Sequence, residues 1–533
     1  MKKSLKPFFF FTPPKKGDTF QLEKSLPENP PEGKYFMISP NLDKNLRYMK
    51  QRFSIPLNND LVLREITLKG NRRAFLLLID GMVDSSLVDL AIIEPLLHLP
   101  LITDEMIDKT KDGIIQRLVA HCQGTTSYDI ETVVEEINFG SCALFVDGID
   151  CGFIMDVRNW GHRSIDKPEV EQSIYGPQEA FSEMLRNNSA LVRKILKTEH
   201  LICEGVKIGS ISKTRGVLMY IDNIANKSLV NEVRKRIDGV KMDYVISIEE
   251  VSLMLEEKTF MITNQILSTE RPDRVARALS EGRVALMLNG SPRVLIFPTN
   301  AFEMTHSAAD AYMRVPYANM TRIIRLMAMF VSILLPGLYL AITLFHQELI
   351  PTYLLYSISA SRENVPFPSV LELILMDISF EMIREAGIRM PGAIGSTLGI
   401  VGGLILGQAA VSAKIVSPIM IIIIAITGIG SFATSDYSLG WSYRILRLIF
   451  ILLGATCGFY GIALGIFIYA VYLGAQKSFG IPFLSPLPKG GWKGVSSTLF
   501  VKPLWKDEKR PEFLEPLDDI REPKISRRWK HRK

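Results

Sequence analysis

The stretch "GAIGSTLGIVGGLILGQAA", residues 392–410, sets Gly395, Gly399, Gly403 and Gly407 at every fourth position of an uncharged apolar run. In a water-soluble helix each such glycine costs roughly 1 kcal/mol relative to alanine. In lipid the balance changes, because no hydrophobic force presses helices together and small residues four apart let two backbones meet closely. The stretch therefore reads as a membrane helix suited to tight packing. Crossing a ~30 Å hydrocarbon core takes about 20 helical residues, and the runs 323–345, 392–412 and 415–433 meet that length. A fourth apolar region, 445–475, reads as one long tilted span, with two short segments bent at "GFYG" (458–461) as the alternative. Its Gly454, Gly458, Gly461 and Gly465 add further small residues for a packed bundle.

On either side of these runs the composition changes. The 533-residue chain is 47% hydrophobic and 22% charged, averages that conceal an apolar part flanked by charged ones. The opening "MKKSLKPFFFFTPPKKG" has too short an apolar run for a secretory signal and ends it at Pro-Pro, so the residues ahead of the spans are expected in the cytosol. Five cysteines form no Cys-x-x-Cys pair, seven histidines form no His-Glu-x-x-His, and "IGSISKTRG" lacks phosphate-loop spacing. No motif pairs a nucleophile with a base or groups metal ligands. The expectation is a protein that is not an enzyme and holds no cofactor or metal.

The soluble part contains one pattern twice. "AFLLLID" (74–80) and "GVLMYID" (216–222) read as buried strands, each followed by a helix-like run. "CALFVDGIDCGFIMDV" (142–157) and "VALMLNGSPRVLIFP" (284–298) read as strand pairs around Asp147-Gly148 and Asn289-Gly290, dipeptides that favour tight hairpin turns. Asp80 to Asp147 and Asp222 to Asn289 are both intervals of 67 residues. The expected order is a flexible leader (1–57), a first α/β subdomain (58–172), a linker helix (173–200), a second α/β subdomain (201–310), a transmembrane domain (311–480) and a basic tail (481–533). The fold class is thus a cytosolic α/β domain of two duplicated subdomains followed by an α-helical transmembrane domain of four to six spans. Asp80, Asp147 and Asp222 are read as strand-end turn formers, not as a carboxylate site.

Arg314, Arg322 and Arg325 at the first span and the tail "REPKISRRWKHRK" put both chain ends on the cytoplasmic side. That requires an even number of crossings. Four crossings strand Arg444 and Arg447 at the outer end of the last span; a hairpin at 445–475 makes 369–389 cross as well, giving six. This segment, "SVLELILMDISFEMIREAGIR", carries Asp377, Glu381 and Glu385 at successive four-residue steps, with Glu372 nearby and Arg384 and Arg389 to relieve their repulsion. It reads either as a surface helix with a solvated charged face or as a helix lining a water-filled ion path. In the second reading Glu372, Asp377, Glu381 and Glu385 select cations. Gln408 and Lys414 read as packing and boundary residues near the cytoplasmic end.

The stretch "RENVPFPSVLELILMDISFEMIREAGIRMPGAIGSTLGIVGGLILGQAAVSAKIVSP" (362–418) resembles the signature of the GerA family of spore germination proteins, the A subunits of nutrient germinant receptors and the related SpoVAF protein. "STERPDRVARALSEGRVALMLNGSP" (268–292), "EVEQSIYGPQEAFSEMLRNNSALVRKIL" (169–196) and "FGIPFLSPLPKGGWKG" extend the likeness over about residues 60–505. The resemblance implies a multi-pass protein of the inner spore membrane that works with a B-type transporter-like subunit and a C-type lipoprotein subunit. It also implies a nutrient germinant that binds mainly through the B subunit, and a homo-oligomeric ring, proposed as a pentamer, around an ion path. The polybasic tail suits anionic membrane lipid rather than nucleic acid. Three readings follow: a ligand-gated cation channel subunit, a solute transporter subunit, or a non-conducting scaffold.

Overall fold

The computed structural model describes residues 37–68, 71–98, 124–159, 168, 171, 173–259, 261–389, 403, 405–433 and 437–521. Its soluble part contains two five-stranded antiparallel sheets of the same topology. The first has β1 (Leu61–Leu68), β2 (Arg72–Ile79), β3 (Gly124–Ser127), β4 (Cys142–Val146) and β5 (Gly152–Met155) in the order β1-β2-β4-β5-β3. The second repeats it as β6-β7-β9-β10-β8, with β6 (Leu201–Ile208), β7 (Thr214–Ile221), β8 (Leu267–Thr269), β9 (Val284–Leu288) and β10 (Val294–Phe297).

The central strands are continuous apolar runs because helices cover both faces. Successive strand residues point to opposite sides. Leu76 and Leu78 of β2 join a core with Val88 and Ile92, while Phe75 and Leu77 join another with Leu46, Met49 and Val133 of α1 (Leu42–Arg52) and α2 (Ile130–Phe139). The second sheet does the same, with α3 (Leu185–Ile195) and α6 (Pro272–Ser280) on one face and α4 (Lys227–Gly239) and α5 (Ile248–Leu255) on the other. Both expected hairpins form: Gly148 and Gly290 turn at φ +82° and +89°.

Two boundaries read from the sequence change. The flexible leader was expected to reach residue 57, but Leu42, Leu46, Met49 and Phe53 are buried in the first core; the leader's residues 1–36 lie outside the described residues. The linker helix, in turn, is the counterpart of α1. Ser39 N–H donates to Asn45 Oδ1 at 3.0 Å and Ser182 N–H to Asn188 Oδ1 at 2.8 Å. Leu42 N–H donates to Asp147 Oδ1 and Leu185 N–H to Asn289 Oδ1, both at 3.3 Å. Each unit thus begins with Ser-x-x-Leu-x-x-Asn, which docks a helix on its own hairpin turn.

The three strand-end aspartates do not converge. Asp147 follows β4 opposite Arg73, whereas Asp80 lies past the other end of β2. Asp80 pairs with Arg186 at 2.6 Å, and Asp222 pairs with Lys227. The units are joined instead by Arg193 of α3, which is 2% exposed and reaches Asp60 Oδ1 at 2.8 Å, Asn58 Oδ1 at 3.0 Å and Leu201 O at 3.1 Å. Burial beside it pushes the Cys203 thiol well above its usual range.

Among the described residues of the apolar half, two helices are long and apolar enough to cross a membrane, Val315–Phe345 (α7) and Ser438–Gly474. Between them lie α8 (Thr352–Arg362), α9 (Ser369–Arg389) and α10 (Pro418–Phe432). The last long apolar helix, α11 (Tyr437–Gly474), is not the single straight span expected. Gly458 has φ 59° and ψ −140°, and the chain doubles back there. Ser442 donates to Ile262 O and Ile262 N–H donates to Tyr472 Oη at 3.4 Å, so both ends of α11 meet one residue of the second unit. The physical reason is in the glycines: Gly458 takes a conformation closed to other residues, and side chains at Gly461 or Gly465 would strike Leu453 and Phe450 of the opposing limb.

A close helix crossing is Gly337 of α7 against Gly454 of α11, where either side chain would collide with backbone carbonyl oxygen. The four-residue glycine stripe gives no such crossing among the described residues. Gly395 and Gly399 lie outside them, Gly403 faces open space, and Gly407 meets only the Ile421 side chain, at 3.8 Å.

Candidate functional site: a buried charge cluster

α9 follows the turn "ENVPFP" and runs 21 residues, about 30 Å at 1.5 Å per residue. Its faces are reversed relative to a helix in water. Leu371, Leu375, Ile378 and Met382 are exposed, the last at 68%, while Glu372, Leu373, Met376, Asp377 and Arg384 are buried. A helix lying on a surface with its charges solvated would show the opposite pattern. Neighbouring helices also turn large apolar side chains outward, among them Ile426 and Ile429 of α10 and Leu448 and Leu452 of α11.

The inward charges form a cluster. Arg447 of α11, 1% exposed, pairs with Asp377 Oδ1 at 3.0 Å and Glu381 Oε1 at 2.6 Å. Arg384 and Arg444 approach the other Glu381 oxygen at 3.4 and 3.5 Å. Arg384 also donates to Ser431 Oγ of α10 at 3.1 Å and lies 5.1 Å from the Phe432 ring, while Arg444 lies 4.1 Å above Trp441. Three arginines thus surround two carboxylates at the junction of α9, α10 and α11. Burying charge in a low-dielectric bundle is tolerated only when partners and hydrogen bonds offset desolvation.

The four acids singled out from the sequence do not act as one row. Asp377 and Glu381 share the cluster. Glu372 is fully buried at the other end of α9, where it accepts the backbone N–H of Ser417, the residue preceding α10, and lies 4.0 Å from Arg362. A carboxylate there compensates the positive end of the α10 dipole. Glu385 is outside the cluster, paired with Arg389 at 2.9 Å on the exposed side. The sequence foresaw Arg384 and Arg389 as neighbours. It missed Arg444 and Arg447 as partners, reading them as stranded at the outer end of a span. The hairpin returns them to the side of the second α/β unit, a few residues beyond Ser442. Arginines inside an apolar run facing a segment of stepped acids were the available signal. Ser417 and with it Lys414 sit at the Glu372 end, away from that side.

Comparison with known proteins bears on most of the chain. The model of the family described as Bacillus/Clostridium GerA spore germination protein matches residues 47–513. Spore germination protein KA of Bacillus subtilis (strain 168) is 38% identical over 495 residues, 92% of this chain and 90% of that protein. The uncharacterized membrane protein YfkQ of the same strain is 36% identical, over 93% of this chain and 95% of its own length. Spore germination protein GerLA of Bacillus cereus is 31% identical, over 92% and 99%. Among solved structures, the N-terminal domain of the A subunit of the Bacillus megaterium spore germinant receptor GerK3 matches at 28% identity and a TM-score of 0.37, covering 50% of this chain and 97% of that one.

Proposed function

The chain belongs to the GerA family of spore germination proteins, and from that premise we propose that it is a membrane-embedded germinant-receptor subunit whose helices, gathered as copies of one chain, form a gated path for monovalent cations. In this reading it sits in the inner spore membrane with B-type and C-type partners, and nutrient binding in the B-type subunit biases the helices. The carrying observation is the reversed face of α9, apolar outward and ionic inward. It supports reading α9 as a crossing helix. With the hairpin of α11, α7, α10 and the apolar run 392–412 read from the sequence, this reading counts six crossings and puts both ends of the apolar half on the cytosolic side.

The paired cluster corresponds to the closed state. Arg447 bridges Asp377 and Glu381, so moving the first limb of α11 away from α9 strips Asp377 of its partner and leaves Glu381 with Arg384 alone. A ligand drives such a change only by binding the two arrangements unequally. The surplus of arginine over carboxylate favours a second reading, a non-conducting scaffold in which the cluster locks the bundle.

Reconstitution of the full chain in liposomes, with and without a B-type partner, separates the two. Asp377→Asn combined with Arg447→Gln removes both charges of one pair and leaves neither partner uncompensated. The gating reading expects raised basal cation flux from assembled protein, and lowered flux from Glu381→Lys. The scaffold reading expects lost assembly with unchanged flux per assembled complex, and that result sinks the conducting role.

A further inference from the structure

A cavity of about 1130 Å³ lies where the second α/β unit meets the start of α7 and the chain returning from α11. Nine arginines and lysines line it against five carboxylates. Five of the nine have carboxylate partners, for example Arg274 with Glu171 at 2.8 Å and Arg322 with Asp310 at 2.9 Å. Arg277, Arg314, Lys502 and Lys509 make no ion pair among the described residues. They come from separate places: α6, the residue preceding α7, and the returning chain.

Among the buried lining atoms without a hydrogen-bond partner are Asn300 Nδ2 and His306 Nε2. Asn300 is 1% exposed. Buried polar atoms in folded proteins are almost always satisfied, and an orphan marks a missing water, ion or ligand. Glu303 Oε2 and Arg283 Nε are orphans as well, although the other Glu303 oxygen holds Arg283 Nη2. Burial and the surrounding guanidinium groups, Arg322 and Arg274 foremost, hold the His306 pKa well below its usual value, so the ring is neutral and the local field is positive.

The geometry points to a binding site for a phosphate-bearing anion, with Arg277, Arg314, Lys502 and Lys509 supplying charge and Asn300 and His306 donating to its oxygens. A tetrahedral anion accepts charge-assisted bonds from several directions at once, whereas a planar carboxylate suits one fork. The same phosphate chemistry is carried by an acidic phospholipid headgroup and by a soluble phosphate ester. An exposed apolar lip of Phe500, Leu504 and Trp505 beside the cavity suits an anion with an apolar body. The site stands whether or not the helices conduct.

The test uses the full chain in detergent. Native mass spectrometry measures retention of phosphatidylglycerol against phosphatidylcholine, and thermal melts are run with inorganic phosphate and with glycerol phosphate. Arg277→Gln combined with Lys502→Gln removes two cations that hold nothing else, and Arg64→Gln on the distant β1 strand is the control. Selective retention of phosphatidylglycerol, cut about tenfold in the double variant, identifies a lipid headgroup. Stabilisation by the soluble phosphates alone, lost in that variant, identifies a phosphate ester. If the double variant does not fold, Lys509→Gln must lower retention or stabilisation in the same direction. Equal behaviour of wild type and cavity variants toward every probe, or an equal loss in Arg64→Gln, overturns the site.

Discussion

The two α/β units share strand order, hairpin turn and an opening Ser-x-x-Leu-x-x-Asn helix, yet they are placed differently in the molecule. On the face away from α1, the first unit closes its core with its own Val88, Ile92 and Leu96. The corresponding core of the second unit also takes in Phe479, which arrives only after the last apolar helix and packs 4.7 Å from the Phe297 ring, with Arg236 at 4.3 Å on it. The second unit also receives Leu517 N–H at Ile224 O and the Glu515 carbonyl at Asn226 Nδ2. A repeated fold has thus been divided between two tasks. One copy grips the membrane half at its entry, its exit and the chain beyond, and the other, among the described residues, is tied to that copy through Arg193.

That division is most sharply tested at the joint. Arg193 in α3 and Lys50 in α1 occupy equivalent positions, five residues after the anchoring asparagine. Lys50 meets Glu65 at 3.5 Å on the surface, whereas Arg193 is buried and tied to both units. Arg193→Ala leaves Asp60 uncompensated and is expected to cost about 3–5 kcal/mol, read as lost hydrogen-exchange protection in β1 and β6 together. Lys50→Ala is expected to cost no more than about 1 kcal/mol. Protection lost in only one sheet breaks the idea that the clamp is shared.

Phe479→Ala comes next, at about 3 kcal/mol for a large ring removed from a closed core. Its effect should be confined to the second unit and the start of the membrane half, with exchange in β2 and β4 unchanged. Equal loosening of both sheets would mean that the first unit depends on the membrane exit as well, and the asymmetry would fall.

What could be read from the sequence follows from the range of each interaction. Asp147-Gly148 and Asn289-Gly290 declared their hairpins because turn chemistry is local. "AFLLLID" and "GVLMYID" declared strands because runs so short and apolar have few other uses. Helix α1 was missed since "SPNLDKNLRYMKQRF" is polar and follows prolines, and its anchor Asn45 is recognisable only beside Asn188. "GFYG" marked the bend in α11, but helical periodicity is the same on both sides of a reversal and cannot tell a kinked span from a hairpin. The acids of α9 were visible as a set. Their division into a shared cluster, a helix-dipole partner and a surface pair was not, because Arg447, Ser417 and Arg389 stand at unrelated distances along the chain. Stepped charge in one segment gives no account of what faces it.

The smallest effect is the one where the units should not differ at all. Gly148 and Gly290 both hold left-handed φ, and a methyl group at either would meet nothing within 4 Å. Their amides make matching bonds, to Pro40 O and Glu183 O at 2.9 and 2.8 Å. Alanine at either position should therefore cost only the backbone term, about 1–2 kcal/mol, and the same in each, measured as equal opening of β4–β5 and β9–β10 by hydrogen exchange. Among the described residues no atom of the membrane half lies within 4 Å of a methyl group at Gly290, so those contacts have no means of changing this number. A clear inequality would place an unrecognised contact on one turn and would show that the division of labour extends to the far edge of the sheet.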